Sequence, residues 1–249
     1  MHLNNYYYYF KSALKPETCQ KIIDLGLKKI ETQKQEGISE YAGTNGGLEK
    51  QNMPGAQSIG EELQSEVDNN TKKYVRDSKV SWLTDQWLYD EVYPLLEESN
   101  QKAGWKFEYS ISEAFQFTVY EPGGFYGWHS DGAADHNAKY RRYIEGVTPV
   151  ERRPDGRLPH GWVSDPKLVG KVRKLSMTIN LNVPGEYDGG NLKLDFGPHA
   201  DRERYHECEE IRPQGSVIIF PSFVHHCVTP VTKGTRYSLV LWTLGEPFK

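Results

Sequence analysis

Six stretches after Gly104 alternate apolar and polar positions, and a period of two predicts β-strands. They are Phe107–Ile111, Ala114–Tyr120, Leu175–Asn182, Asn191–Leu194, Ser216–Phe220 and Arg236–Trp242. All but Asn191–Leu194 are rich in Val, Ile, Phe, Tyr or Thr, the residues that suit a pleated, half-buried surface. Gly, Pro and Asp fall between them, and short strands punctuated in this way predict a sandwich or a jelly roll. The first hundred residues read differently. Tyr6–Phe10 predicts an early strand, and a helix opens at Lys15-Pro16-Glu17-Thr18, where a proline in the first turn lacks only an N–H that had no partner. Ile22, Ile23, Leu25, Leu27 and Ile30 then recur loosely at helical spacing. Residues 36–57, rich in Gly, Asn and Gln, read as a loop. Arg76–Trp82 reads as a strand, and a second helix is expected from about Thr84 to Lys102 with Trp87, Leu88, Val92, Leu95 and Leu96 as its apolar face. Residues 132–173 mix Gly, Pro and many charges without periodicity. A loop this long inside a domain is usually a lid over a site or a disordered excursion.

Composition narrows the class. The chain has 249 residues, 37% of them hydrophobic and 26% charged, enough for a sizeable core, and barrels or sandwiches of this length are commonly one domain. The expectation is a single domain over 1–249: an N-terminal helical and strand support over 1–104 and a jelly-roll core over 105–245, with 132–173 as a lid-like insertion. A net charge of −4 without a basic block argues against a nucleic-acid partner. No apolar run approaches the roughly 18 residues of a membrane span, so no membrane partner is expected. The start, Met1 to Asn5 followed by Tyr6 to Tyr9, lacks the basic-then-apolar design of a signal peptide. Cys19, Cys208 and Cys227 are odd in number and share no metal-finger spacing, which suggests reduced thiols in a cytoplasmic protein.

The candidate chemistry is carried by His129-Ser130-Asp131. Among eight histidines and thirty-four acidic residues such a triplet alone is close to chance. On an extended strand end, however, His129 and Asp131 project from the same face while Ser130 points elsewhere. His226 lies far downstream and Arg236 ten residues after it. Two histidines and one carboxylate can occupy one face of an octahedral iron(II) ion and leave the other face open. Arg236 adds a planar fork suited to a carboxylate. His225 competes with His226: on an extended segment the two face opposite ways, only one can bind, and residue physics leaves the choice open. His136, His160, His199 and His206, taken singly, read as surface or core residues.

These residues sit in segments that resemble the iron(II)- and 2-oxoglutarate-dependent dioxygenases of the prolyl 4-hydroxylase-like group. The resemblance covers roughly residues 76–245 and is weakest across 132–173. Tyr120-Glu121-Pro122-Gly123-Gly124-Phe125-Tyr126-Gly127-Trp128-His129-Ser130-Asp131 looks like the family's first metal strand. Glu186-Tyr187-Asp188-Gly189-Gly190-Asn191-Leu192 resembles its hairpin, where two glycines permit a turn. Phe220 to Val231 is similar to its distal-histidine segment, in which the ligand position falls on His226, and Arg76 to Trp82 looks like a further segment of the group.

The resemblance implies a double-stranded β-helix, the cupin-like jelly roll, flanked by N-terminal helices. It implies iron(II) on His129, Asp131 and His226, with 2-oxoglutarate and O2 as co-substrates and ascorbate as a reductant. Arg236 would pair with the distal carboxylate of 2-oxoglutarate, helped by Ser238 on the same strand face, by Tyr120, and by Asn180 on a bordering strand. Trp242 continues the Arg236 face and is expected at the pocket floor or in core packing. Tyr126 is expected toward the prime substrate or in packing, and Trp128 in the core. No protein general base is required. The implied reaction hydroxylates an unactivated C–H bond while 2-oxoglutarate becomes succinate and CO2. The default substrate is a peptidyl proline; the alternative is a free amino acid or small metabolite. Halogenation is disfavoured because Asp131 occupies the ligand place that halogenases leave to chloride. Nucleic-acid repair oxygenases are disfavoured because they carry a second arginine where this chain has Trp242. A cupin-like metal-binding module or isomerase without oxygen chemistry would leave Arg236 and Ser238 unexplained. Oligomeric state stays open.

Overall fold

The period-two segments fold as two sheets facing one another across a shared interior. The computed structural model describes residues 3, 5–38, 40–42, 76–132, 138–152, 158–159, 161–198 and 203–248. In chain order the elements are β1 (Tyr8–Phe10), α1 (Pro16–Gln35), β2 (Arg76–Asp77), β3 (Lys79–Leu83) and α2 (Gln86–Lys102). Then come β4 (Ile111–Ser112), β5 (Phe115–Tyr120), β6 (Phe125–His129), β7 (Arg141–Arg142), β8 (Trp162–Val163) and β9 (Val172–Asn180). The chain closes with β10 (Tyr187–Gly189), β11 (Leu192–Asp195), β12 (Tyr205–Glu207), β13 (Val217–Pro221), β14 (His225–Val228), β15 (Val231–Gly234) and β16 (Arg236–Gly245). Among the described residues the larger sheet runs β1-β13-β9-β16-β5-β3 with β4 on β16, and the smaller runs β12-β11-β14-β6-β2. This is a double-stranded β-helix, mostly β with two α-helices among the described residues.

The alternation along β9 shows how the sequence assigns the two faces of the larger sheet. Leu175, Met177 and Ile179 point one way and join Phe115, Phe117, Val119, Val217, Ile219, Leu239 and Leu241 in one apolar cluster. That cluster is completed by Ile22, Ile23 and Ile30 of α1 and by Leu88, Val92 and Leu96 of α2, so the helices cover the outside of the sheet. Gly26 lets α1 approach closely, since a Cβ there would fall 2.2 Å from the Phe117 ring. The helix-weakening cost of an internal glycine, roughly 1 kcal/mol, is the condition of that contact. Ser176, Thr178 and Asn180 point the other way, toward the smaller sheet, and all three are buried. A strand buried on both faces yet polar on one marks a lined interior rather than a second apolar core. Part of that interior is nonetheless apolar: Ile218 and Phe220 of the larger sheet pack with Leu192, Leu194 and Val228 of the smaller.

Three expectations are corrected. Of the anticipated strand Phe107–Ile111 only Ile111 pairs in a sheet, together with the following Ser112. The Phe107 backbone instead exchanges both of its hydrogen bonds with the Asn100 side chain, which fixes an irregular path past the end of α2. The glycines at 189 and 190 do not make a hairpin turn. β10 pairs with β15 and β11 with β14, in nearly continuous register (Gly189 opposite Val231, Leu192 opposite Val228), so both glycines lie within one long antiparallel ribbon, just past a register shift between Asp188 and Gly189 that leaves Thr232 of the partner strand as the extra residue. The insertion 132–173 is not structureless where it is described: β7 and β8 form a parallel pair, and Tyr140 is tied to Lys171 and Gly170 by backbone hydrogen bonds. Most of the loop expected over 36–57 lies outside the described residues, as do His136, His160 and His199.

Candidate metal and co-substrate site

β6 and β14 are antiparallel neighbours, and His129 stands directly opposite His226. Cross-strand partners project from the same face of a sheet, so both imidazoles enter the interior together. Asp131 lies just past the end of β6, held by its own N–H donating to Ser222 O at 2.8 Å. His129 Nε2 is 3.8 Å from Asp131 Oδ1 and His226 Nε2 is 3.5 Å from Asp131 Oδ2. All three residues are buried, and one ligand atom from each lies within 4.8 Å of the others, a spacing a single ion can bridge. His225 faces the other side of β14, opposite Asp195, away from this cluster.

Each imidazole is oriented from behind. His129 Nδ1 lies 2.7 Å from Gly127 O and His226 Nδ1 lies 2.9 Å from Val224 O. A carbonyl only accepts, so Nδ1 carries the proton and Nε2 turns its lone pair inward. Burial pushes His129 well below the usual histidine range, and the neighbouring His226 adds to the effect. Burial alone would raise Asp131, but His226, His129, Arg173 and the Ser176 hydroxyl outweigh it and hold the carboxyl at about 2. A His129 held neutral and an ionised Asp131 are in the protonation states that a divalent cation requires of such ligands.

Arg236 opens β16 on the same interior, opposite Tyr120 on β5. It is 2% exposed, yet its Nε has no hydrogen-bond partner, and Nη1 donates to Ser238 Oγ only at a long 3.4 Å. No carboxylate among the described residues pairs with it. A buried guanidinium without an anion is costly, so the chemistry of this pocket calls for an anionic guest. Tyr120 lies beside it, with the guanidinium 5.3 Å from the ring centre. Asn180 shares the face but spends its amide on Arg212 O, at 2.7 Å, and accepts from the Tyr187 hydroxyl, at 3.3 Å. Gly190 makes room for the arginine: a Cβ there would meet Arg236 Cδ at 2.9 Å.

The remaining expected residues fall as follows. Tyr126 lies flat on the His129 ring with centroids 3.6 Å apart, and the Arg76 guanidinium covers its other face. Trp128 is buried against Tyr205. Trp242 is opposite Ser176, at the Asp131 end of the interior, and packs on Arg173 and Trp82 rather than beneath Arg236. A second cluster, His206, Cys208 and Glu210, also brings ligand-type atoms within 4.8 Å. There His206 Nε2 is already hydrogen-bonded to Glu210 and Tyr7, and burial pushes the Cys208 thiol far up, so the cluster reads as a closed packing network. Sequence reasoning missed Ser176, Arg173, Glu113 and Tyr140, which surround Asp131. Ser176 left a signal in the Ser-Thr-Asn face of β9. The other three left none, because they come from separate segments.

Residues 115–244, just over half of the chain, match the 2OG-Fe(II) oxygenase superfamily, and the protein belongs to that family. A PKHD-type hydroxylase of Klebsiella pneumoniae is 30% identical over 128 residues. That match covers 51% of this chain and 40% of the relative, so the chain spans less than half the length of the curated relatives it matches. Among solved structures, a Pseudomonas putida prolyl-4-hydroxylase shares the fold with a TM-score of 0.55 at 14% identity, covering 96% of this chain and 92% of that one. A Trichoplax adhaerens prolyl hydroxylase in complex with a hypoxia inducible factor peptide fragment does so with a TM-score of 0.54 at 16% identity, covering 96% and 84%.

Proposed function

We propose that the protein is an iron(II)- and 2-oxoglutarate-dependent dioxygenase whose metal is held by His129, Asp131 and His226 and whose prime substrate is a peptidyl proline. The observation that carries the reaction type is the pairing of two features in one interior: an oriented His-Asp-His cluster and, on the facing sheet, the buried Arg236 with no protein anion. When bound, the iron would supply oxygen activation coupled to loss of CO2 from 2-oxoglutarate. The protein's part is orientation and exclusion of water. Gly127 O and Val224 O fix the imidazoles, Ser176 donates to Asp131 Oδ2 at 2.7 Å, and Leu194, Phe220 and Val228 keep the interior dry. Arg236, with Tyr120 and Ser238 beside it, would bind the distal carboxylate of 2-oxoglutarate, while Asn180 braces the wall through Arg212 and Tyr187. Tyr126, stacked on His129, supports that ring more directly than it would contact a substrate.

The peptide reading draws on the fold neighbours named prolyl hydroxylases, one of them holding a peptide. Trp242, Trp82 and the insertion at the Asp131 end would border the prime substrate. Ascorbate as reductant belongs to the same reading, and the three buried free thiols support a cytoplasmic setting. No helix among the described residues is long and apolar enough to cross a membrane. The test is incubation with iron(II), 2-oxoglutarate and O2 in the presence of proline-rich peptides or free amino acids, followed by mass spectrometry and succinate measurement. A gain of one oxygen on a peptide proline, matched by succinate, is expected. Turnover confined to free amino acids would overturn the peptide reading, and metal binding with no succinate from any substrate would overturn the oxygenase reading.

A further inference from the structure

Asp131 has a competitor for its charge. Arg173, at the start of β9, brings Nη1 to 3.9 Å from Asp131 Oδ1. It comes no closer because its fork is turned away. Nε and Nη2 donate to the two oxygens of Glu113, each at 2.7 Å, in the bidentate geometry that is the strongest arrangement for this pair. Tyr140, from the insertion, donates its hydroxyl to Glu113 Oε1 at 2.9 Å and is itself anchored by backbone bonds to Lys171 and Gly170. The Arg173 guanidinium also stacks 4.0 Å from the Trp242 ring centre, so it is fixed on more than one side.

We infer that Glu113 is a positioning residue that holds Arg173 off Asp131, leaving the carboxylate free for a metal, and that Tyr140 ties the insertion to this clamp. The inference rests on the reading of Asp131 as a metal ligand. If Glu113 loses its charge, the carboxylate left within 4 Å of the buried guanidinium among the described residues is Asp131. A shift of about 1 Å would make a direct ion pair, which competes with a divalent cation for the same lone pairs. The charge that harms the site in that case is the arginine's own, so removing it as well should repair the damage.

The test is anaerobic titration of the metal-free 249-residue chain with Co(II) as an optical probe, with thermal unfolding of each metal-free variant as a folding control. Glu113→Gln should weaken Co(II) binding by about tenfold or more, the scale of a lost outer-sphere partner. Glu113→Gln combined with Arg173→Gln should return to within about threefold of wild type, and Tyr140→Phe should fall between wild type and Glu113→Gln. A merely structural role gives the opposite pattern, with the double variant weaker than either single one. Unchanged affinity in Glu113→Gln, or a double variant no better than it, overturns the inference. If Glu113→Gln fails to fold, Glu113→Ala, which removes the same charge, serves in the same cycle with the same criterion of recovery by Arg173→Gln. Asp131→Ala separates this failure from a failure of the underlying reading: if that variant binds Co(II) like wild type, the ligand assignment itself is wrong.

Discussion

His225 and His226 are adjacent, and the alternation of β14 sends only the second toward His129. The consequence is a clean contrast between neighbours. His226→Ala is expected to bring metal binding below detection in a Co(II) titration, while His225→Ala keeps it within about threefold, since removing a group that faces Asp195 touches no ligand or its support. The reverse pattern would show that the ligand assignment is wrong. Arg236→Ala is expected to weaken 2-oxoglutarate binding by about tenfold or more, the worth of a charge-assisted hydrogen bond lost from a dry pocket. Metal affinity without 2-oxoglutarate should hold. An unchanged dissociation constant for 2-oxoglutarate by calorimetry would remove Arg236 from the site. At this scale the site was legible in the sequence where residue type and spacing carry the chemistry: a His-x-Asp on a strand end, a distal histidine, an arginine ten residues further. The choice of His226 needed the resemblance of its segment as well. Glu113, Arg173 and Tyr140 were not legible, because their meaning lies in distances across three separate segments.

Strand periodicity foretold the elements well, with β5, β9, β13 and β16 close to their anticipated spans. It failed where the backbone found partners other than a ladder. Phe107 bonds to the Asn100 side chain, an arrangement no local pattern announces. The glycines at 189 and 190 signalled a special backbone correctly but not its kind, since a turn and an irregular stretch of ribbon both use positive φ. The ribbon has a function that a turn would lack: its backbone comes up against Arg236 at Gly190. Gly190→Ala therefore places a methyl group 2.9 Å from Arg236 Cδ and from Val231 Cγ2, at a φ of +59°. The backbone penalty is about 1–2 kcal/mol, visible as a lower Tm. Beyond that, 2-oxoglutarate affinity is expected to fall severalfold, as happens when a clamp is displaced by a fraction of an ångström, while Co(II) affinity is retained. Equal losses of both affinities would show that the substitution disturbs the whole interior rather than the arginine.

For the molecule as a whole, the two faces of the larger sheet divide stability from chemistry. The outer face packs Met177, Phe117 and Leu239 under α1 and α2, and none of the His-Asp-His residues belongs to that cluster. The inner face carries Ser176, Asn180, Arg236 and the residues opposite them. Folding should therefore survive without metal, and metal binding should add to stability by mass action alone. At a free metal concentration of 100 times the dissociation constant the gain is about 2.7 kcal/mol. For a domain of this size that corresponds to a rise in Tm of roughly 5–10 °C. Chelation should remove the rise while leaving a cooperative transition. In Asp131→Ala or His129→Ala the transition should persist with no metal-dependent shift, whereas Met177→Ala should lower Tm, by about 2–5 kcal/mol of lost packing, and keep the metal-dependent increment intact. If chelation abolished the cooperative transition, the outer cluster would not suffice to hold the barrel. The metal would then be part of the fold as well as of the site.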